Sequence, residues 1–208
     1  MFNKFIKYIG KNFGNPQGIT GIIIMTKIMN IMNQKLYNSV LRHINLEPNS
    51  IILDIGFGNG YLINKLFKKN IPIKIYGIEI SNDMVNKVSR KYKHHIKNDR
   101  LKLFLENIEK TSFENDTFDK IVTINTIYFC ENHRKCISEI KRILKPNGIF
   151  LNLIYTKDFL NKFVYTKYGF NKYSVDEIKT LTVENGMKII EIVEVKRNKS
   201  YCIISGKK

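Results

Sequence analysis

Cysteine, arginine and acidic residues are scarce in this sequence of 208 residues, and long apolar runs are missing. The three cysteines (Cys130, Cys136 and Cys202) are odd in number and show no C-x-x-C spacing, which argues against a disulfide framework and against a zinc site. We therefore expect reduced thiols, no bound metal and a cytoplasmic location. No run reaches the roughly 18 apolar residues of a membrane span, and none is expected.

The scarcity of acidic residues leaves a large positive charge. Lysine and arginine total 35 against 18 acidic residues, a formal net charge of +17, which raises the question of a polyanionic partner. Most of these cations are lysines, they are dispersed along the chain, and isoleucine and asparagine are abundant as well. Such a composition is typical of an AT-rich genome. We therefore expect a small-molecule substrate and keep nucleic acid as a secondary partner.

The apolar pattern divides the chain into two regions. Residues 1–45 repeat isoleucine and methionine at intervals of three and four, which predicts an N-terminal helical cap. Its methionine face (Met25, Met29 and Met32) would pack either over an apolar acceptor or against the flank of a sheet. Residues 46–208 alternate short β-branched runs with amphipathic segments, the pattern of one parallel α/β domain.

Seven runs in the second region are predicted strands, and the last two should pair as an antiparallel hairpin across residues 197–200. The capping box Ser174-Val175-Asp176-Glu177 predicts the start of a helix. Residues 146–148 should close a helix and turn into the fifth strand. The predicted strands are Ile51 to Ile55, Ile73 to Ile78, Leu101 to Leu105, Lys120 to Ile124, Gly148 to Leu153, Ile189 to Val195 and Tyr201 to Ser205.

A glycine-rich loop joins the first strand to the first helix of this domain. The run Leu53-Asp54-Ile55-Gly56-Phe57-Gly58-Asn59-Gly60 allows a tight turn and a close backbone approach to a ligand. The third glycine stands at 60 rather than 61, so the dinucleotide fingerprint G-x-G-x-x-G is not matched. Asp54 would repel a pyrophosphate and suits an ammonium group. Glu79, at the end of the second strand, is placed to accept hydrogen bonds from both hydroxyls of a ribose.

The motifs LDIGFGNG, YGIEIS, FDKIVT and LKPNGIF, in this order over residues 48 to 154, resemble those of the class I S-adenosylmethionine-dependent methyltransferases, close to the type 11 group. The resemblance implies a doubly wound, Rossmann-like α/β sheet of seven strands in the order 3-2-1-4-5-7-6, with strand 7 antiparallel. It also implies S-adenosylmethionine as the cofactor, bound across the carboxyl ends of strands 1, 2 and 4.

The same resemblance assigns roles to individual residues. Asp54, Gly56 and Gly58 would hold the methionine moiety, with Phe57 and Gly60 in the same loop. Glu79 would bind the ribose hydroxyls. The adenine would contact Ile80, Met84, Asn107 and Ile108, where Asn107 stands in place of the family's frequent aspartate. Asn125, after the fourth strand, completes the predicted cofactor set.

The acceptor side is less defined by the sequence. Asn125-Thr126-Ile127-Tyr128 lacks the two prolines of the Asn-Pro-Pro-Tyr motif found in nucleic-acid base methyltransferases. Tyr128, His133 and Tyr155 are the candidate substrate contacts, and no residue is identified as a catalytic base. Residues 155–173 are rich in aromatic side chains, which favours a planar or apolar acceptor. Lysines interleave with them, as on a nucleic-acid surface. A macromolecular substrate and a non-catalytic cofactor-binding module therefore remain as alternatives.

Overall fold

The computed structural model describes the backbone of residues 19–207 and the side chains of residues 30–207. The first 18 residues of the predicted cap lie outside the described residues, as do the side chains of Met25 and Met29.

The described chain contains seven strands and seven α-helices. The strands are β1 (Ile51–Ile55), β2 (Lys74–Glu79), β3 (Leu101–Leu105), β4 (Phe118–Ile124), β5 (Leu144–Tyr155), β6 (Met187–Lys196) and β7 (Ser200–Lys207). The helices are α1 (Ile19–His43), α2 (Tyr61–Phe67), α3 (Asn82–Lys91), α4 (Lys93–Lys97), α5 (His133–Ile143), α6 (Lys157–Leu160) and α7 (Val175–Glu184). Two short 3₁₀ turns cover Ile127–Phe129 and Val164–Lys167.

All seven strands form one sheet in the order β3-β2-β1-β4-β5-β7-β6, as predicted. The first five strands are parallel to one another, and β7 is antiparallel to both of its neighbours, β5 and β6. The central strands are buried, as a doubly wound sheet covered on both faces requires. The carboxyl ends of β1, β2, β4 and β5 therefore meet at one edge, where such sheets bind ligands.

The long helix α1 packs beside the sheet and contacts β4, β6, β7 and the short helix α2. Leu36, Val40 and Ile44 are fully buried at intervals of four residues, which is the apolar stripe that holds α1 in place. The helix ends at His43, and β1 begins at Ile51. The division of the chain into a helical cap (residues 1–45) and a second domain (residues 46–208) stays a prediction.

The prediction for residues 146–148 was wrong in one respect. The helix α5 ends at Ile143, but β5 begins at once, at Leu144, so Pro146 lies inside the strand. The pairing of β4 with β5 shifts register between Phe118 and Lys120, opposite this segment. Because proline has no N–H to donate, a bulge tolerates it where regular pairing does not.

The prediction of three reduced thiols was also wrong. Cys130 and Cys136 are paired as a disulfide, and only Cys202 is free among the described residues, buried in the core. The 3₁₀ turn before Cys130 and the first turn of α5 bring the two Cα atoms to 6.8 Å, at the upper end of the range for a disulfide. The cytoplasmic location stays a prediction, but its main support came from the cysteines and is now reduced to Cys202.

The predicted capping box at the start of α7 is present. The Ser174 hydroxyl accepts from the Glu177 N–H at 3.1 Å, and the Glu177 carboxylate accepts from the Ser174 N–H at 2.7 Å. We expect Ser174→Ala to lower the free energy of unfolding by about 1 kcal/mol, because one N-terminal N–H of the helix loses its partner. Denaturant unfolding measures it. Thr180→Ala, an exposed change in the same helix, is the control and should not destabilise the protein; equal losses in both variants would contradict the capping role.

Candidate functional site

Four side chains predicted to be functional lie at the carboxyl edge of the sheet, each on a different strand. Asp54 is in β1, Glu79 ends β2, Asn125 follows β4 directly, and Tyr155 ends β5. Asp54 pairs in register with Gly77 of β2, so Glu79, two residues further on, points to the same face as Asp54. The parallel arrangement thus brings residues from four separate segments together.

The glycine loop needs backbone conformations that other residues rarely adopt. Gly56, Gly58 and Gly60 all have positive φ, at 66°, 50° and 70°. A Cβ at Gly56 would clash with the side chain of Thr126 after β4, whereas a Cβ at Gly58 would meet no atom closer than 4.0 Å. The loop is thus packed against the protein at Gly56 and open at Gly58, so a ligand can approach the backbone there.

Glu79 fixes this loop through its carboxylate. Oε2 accepts from the Gly58 N–H at 3.0 Å, and Oε1 accepts from the N–H groups of Ile80 and Ser81 at 2.9 and 3.1 Å. Burial raises the pKa of Glu79, and these three hydrogen bonds act in the opposite direction. A carboxylate offers about four acceptor positions, so about one is left free in this arrangement. For Glu79 to bind both ribose hydroxyls, one backbone N–H would have to release it.

Asp54 is buried beside Glu79, and its Oδ2 has no hydrogen-bond partner. Among the described residues it is the one carboxylate with such a buried, unpaired oxygen. Burial, with a further contribution from the Glu79 charge, raises the pKa of Asp54 to about 7. An unpaired carboxylate in this position is costly, and a cation with N–H donors would satisfy it.

The remaining predicted cofactor residues differ in exposure. Phe57 is buried, and its ring occupies the space beside Gly77 where a Cβ would stand. Met84 is buried and Ile80 is 46% exposed. Ile108 is buried, while the neighbouring Asn107 is exposed and uses its Oδ1 to accept from the Glu109 N–H. The role of each in binding a cofactor stays a prediction.

A pocket opens beside this edge, and its wall is largely aromatic. The other lining residues are Met32, Asn33, Asn125 and Leu160. Five of the aromatic residues come from the segment 155–173 that the sequence singled out, whereas Tyr168 and Tyr173 of that segment do not line the pocket. The aromatic residues of the wall are Tyr128, Phe129, Tyr155, Phe159, Phe163, Tyr165 and Phe170.

Of the three predicted substrate contacts, two line the pocket and one does not. The Tyr128 side chain lines it, but its hydroxyl donates to the Tyr155 carbonyl at 2.8 Å and accepts from the Tyr155 N–H. The Tyr155 ring lines it too, with its hydroxyl donating to the Met32 carbonyl at 2.8 Å. His133 does not line the pocket. Its ring nitrogens bond to the Ile127 carbonyl and the Tyr173 hydroxyl.

Three polar contacts from α1 reach the loops of the site. Asn30 accepts from the Asn59 amide of the glycine loop at 2.9 Å, and Asn33 accepts from the Asn125 amide at 3.0 Å. The Met32 carbonyl accepts from Tyr155. All three lie within about one helical turn, so the same short stretch of α1 contacts the predicted cofactor loop and the pocket.

Sequence reasoning missed several residues of the site. Asn33 lines the pocket and also hydrogen-bonds Tyr37, which is close enough to Asp54 for the carboxylate charge to act on its pKa. Lys196 of β6 donates to the Met32 carbonyl at 2.7 Å and to the Tyr155 hydroxyl at 2.9 Å. In the sequence these residues are only polar interruptions in apolar segments. No local signal distinguishes Asn33 or Lys196, because the Asn125 partner of Asn33 lies 92 positions away and the Met32 partner of Lys196 lies 164 positions away.

The described residues also limit other classes of site. No helix in the described part of the chain is both long and apolar enough to cross a membrane. Within residues 30–207, no three histidine, cysteine, aspartate or glutamate side chains come together as a metal site would require.

The sheet order, the glycine loop and the acidic residue that ends β2 are those of the class I S-adenosylmethionine-dependent methyltransferase fold, and the chain belongs to that superfamily. Residues 53–152 match the type 11 family model described as a methyltransferase domain.

Known proteins agree with this assignment. The chain is 27% identical over 121 residues to the uncharacterized methyltransferase YdaC of Bacillus subtilis, a match that covers 58% of this chain and 65% of YdaC. It is 30% identical over 174 residues to the uncharacterized protein MJ1123 of Methanocaldococcus jannaschii, covering 78% and 77%. The crystal structure of a SAM-dependent methyltransferase from Aquifex aeolicus has the same fold, with a TM-score of 0.73 at 21% identity, over 88% of this chain and 97% of that one.

The raised pKa of Asp54 makes stability depend on pH. Because the folded protein holds this proton more tightly than the unfolded chain, Asp54 favours folding below pH 4, and this contribution is lost as the pH rises through about 7. We therefore expect Asp54→Asn to gain stability relative to the wild type between pH 5 and pH 8, by about 3 kcal/mol.

The unfolding free energies of Asp54→Asn and the wild type, measured at pH 5 and at pH 8, give this gain. Asp119→Asn is the control, because hydrogen bonds from the Ile51 N–H and Lys145 lower the pKa of Asp119 in spite of burial. Asp119 is thus ionised at both pH values, so its variant should follow the wild-type pH profile with a constant offset. A constant offset for Asp54→Asn as well would show that Asp54 does not titrate in this range.

Proposed function

We propose that this chain binds S-adenosylmethionine at the carboxyl ends of β1, β2 and β4 and transfers its methyl group to a small organic acceptor in the aromatic pocket. The observation that supports this proposal most directly concerns Asn125. It follows β4 at the predicted cofactor edge, and it also lines the aromatic pocket. A donor at the edge and an acceptor in the pocket would then be neighbours, as a direct transfer requires.

The residues at the edge fit this cofactor. The unpaired Oδ2 of Asp54 matches the ammonium group of a methionine moiety, and the open backbone at Gly58 leaves room for it. Two buried carboxyl groups, Asp54 and Glu79, also lie at this edge, and a bound cation would favour the ionised form of both. A cationic ligand is therefore favoured there, and a dinucleotide with its pyrophosphate is not.

When bound, the cofactor supplies a methyl group already activated by the sulfonium charge. The protein then has to position the acceptor and exclude water. The aromatic wall provides a dry site. Burial raises the pKa of Tyr155 to about 12 and that of Tyr128 well above its usual value, so neither phenol is a base at neutral pH. The described residues that line the pocket include no carboxylate and no histidine. We infer that the acceptor atom has a free lone pair and needs no base from the protein.

The second candidate is methylation of RNA or another macromolecule. Its supporting observation is the lysines Lys157, Lys162, Lys167 and Lys172, which interleave with the aromatic residues of the pocket wall. Phosphate binding would make the affinity fall steeply as salt rises.

We expect Glu79→Ala to weaken S-adenosylmethionine binding by about 1.5–3 kcal/mol, a 10- to 150-fold loss, because a charged acceptor is removed and three backbone N–H groups lose the partner that orients the loop. Calorimetric titration measures the affinity. Glu114→Ala, an exposed glutamate before β4, is the matched control and should bind as the wild type does. Unchanged affinity in Glu79→Ala would refute the assigned role.

The acceptor class is tested by incubating the protein with methyl-labelled S-adenosylmethionine and an extract of its source cells, with Glu79→Ala as the inactive control. We expect the label in the soluble small-molecule fraction. RNase-sensitive label in precipitable polymer would instead support the second candidate. Tight cofactor binding without any transfer would favour a non-catalytic module.

A further inference from the structure

One lysine touches the aromatic pocket without an acidic partner. Lys196 is half-buried, and its ammonium group donates to Met32 and Tyr155, both of which line the pocket. These bonds use two of the three N–H donors of the ammonium group, and both acceptors are neutral oxygens. The charge of Lys196 is therefore not compensated by the groups it contacts.

Two further lysines lie in the same region. Burial lowers the pKa of Lys196, and the charges of Lys35 on α1 and Lys199 in the β6–β7 turn lower it further. The Lys199 ammonium lies 5.8 Å from the centre of the Phe159 ring, and Phe159 stacks on Tyr155 at 4.9 Å. Among the described residues, no ion pair involves Lys35, Lys196 or Lys199.

The segments around the pocket cannot easily supply the missing negative charge. The first acidic residue in the whole sequence is Glu47, so neither α1 nor anything before it contains a carboxylate side chain. The segment 155–173 has four lysines and one acidic residue, Asp158, which is exposed at the start of α6. None of the described residues that line the pocket is a carboxylate. Glu194, on the same strand as Lys196, accepts instead from the Asn198 N–H and the Tyr201 hydroxyl. An anionic ligand would supply the negative charge that the contacts of Lys196 lack.

We propose that the aromatic pocket takes a planar or apolar acceptor that carries an anionic group, and that Lys196 pairs with this group. The proposal rests on the proposed function for the identity of the pocket as the acceptor site. It names what that function leaves open, namely the chemical class of the acceptor. The aromatic wall binds the apolar body of the acceptor, and the third N–H of Lys196 donates to its anionic group. A cationic acceptor is disfavoured by the same three lysines.

The test compares three probes with one ring system and different charges: 2-naphthoate, 2-naphthol and 2-naphthylmethylamine, which at pH 7.5 are anionic, neutral and cationic. Their affinities for the full chain are measured by calorimetry. We expect 2-naphthoate to bind at least ~10-fold tighter than 2-naphthol, with the amine weakest. A pocket that is only apolar would give the opposite order for the first two, because naphthol is the less hydrated ligand. That order would overturn the proposal.

Lys196→Gln removes the charge but keeps an N–H donor for the Met32 carbonyl. We expect it to abolish the preference for 2-naphthoate over 2-naphthol. Lys188→Gln, at the far end of the same strand, is exposed and is the matched control that should keep the preference. Rising salt should weaken binding of 2-naphthoate and leave that of 2-naphthol unchanged. A preference that survives in Lys196→Gln would assign the anion to another residue and overturn the role of Lys196.

Titration of the same samples with S-adenosylmethionine separates this proposal from the proposed function. Cofactor binding without a preference for 2-naphthoate would refute the anionic acceptor and leave the methyltransferase assignment intact. A preference for 2-naphthoate without cofactor binding would support the anion site and refute the proposed function.

Discussion

The carboxylate of Glu79 is the contact on which the candidate site depends. It accepts three backbone N–H groups, one from the glycine loop and two from the start of the segment leading to α3. The carboxylate thus ties the end of β1 to the end of β2 and sets the shape of the open edge between them. Burying it beside Asp54 places two carboxylates together with only backbone donors to compensate them, and the raised pKa of each reflects that cost. The site is therefore organised for a cation before any ligand arrives.

The helix α1 extends this organisation to the pocket. Asn30 contacts the glycine loop, Asn33 contacts Asn125, and the Met32 carbonyl receives both Tyr155 and Lys196. One turn of one helix thus contacts segments that begin or end four different strands. A displacement of this turn would alter the predicted cofactor edge and the acceptor pocket together, so the two cannot be treated as independent binding sites.

The sequence was sufficient for the fold because each strand and helix has its own periodic pattern. The seven strands and the capping box of α7 were predicted from the residues, and the order of the strands was implied by the family resemblance. The error at Pro146 and the unpredicted contacts of Tyr128 and Lys196 arise from segments that are distant in the sequence. The bulge that accepts Pro146 depends on β4, the partner of β5. The Tyr128 hydroxyl is engaged by a backbone 27 residues away, and Lys196 reaches an acceptor 164 residues away. From the sequence, Tyr128 looks like a site residue and Lys196 looks like a surface residue. In the structure, Tyr128 bonds to the backbone of Tyr155, and Lys196 bonds to Met32 and Tyr155.

The net charge of +17 is better understood from where the lysines lie than from their number. A compositional bias alone would place lysines wherever the surface allows, and elsewhere in the described chain several of them have found carboxylates. Lys74 and Lys102 pair with Asp99, and Lys145 pairs with Asp119. Lys196 differs because it is half-buried, it contacts two lining residues, and the segments that enclose the pocket carry almost no acidic residues. The sheet edge holds two carboxyl groups, and lysines lie beside the pocket wall. In the proposed function, the carboxyl groups would bind the cationic methyl donor and the lysines would bind the anionic acceptor, which orients the two ligands toward each other.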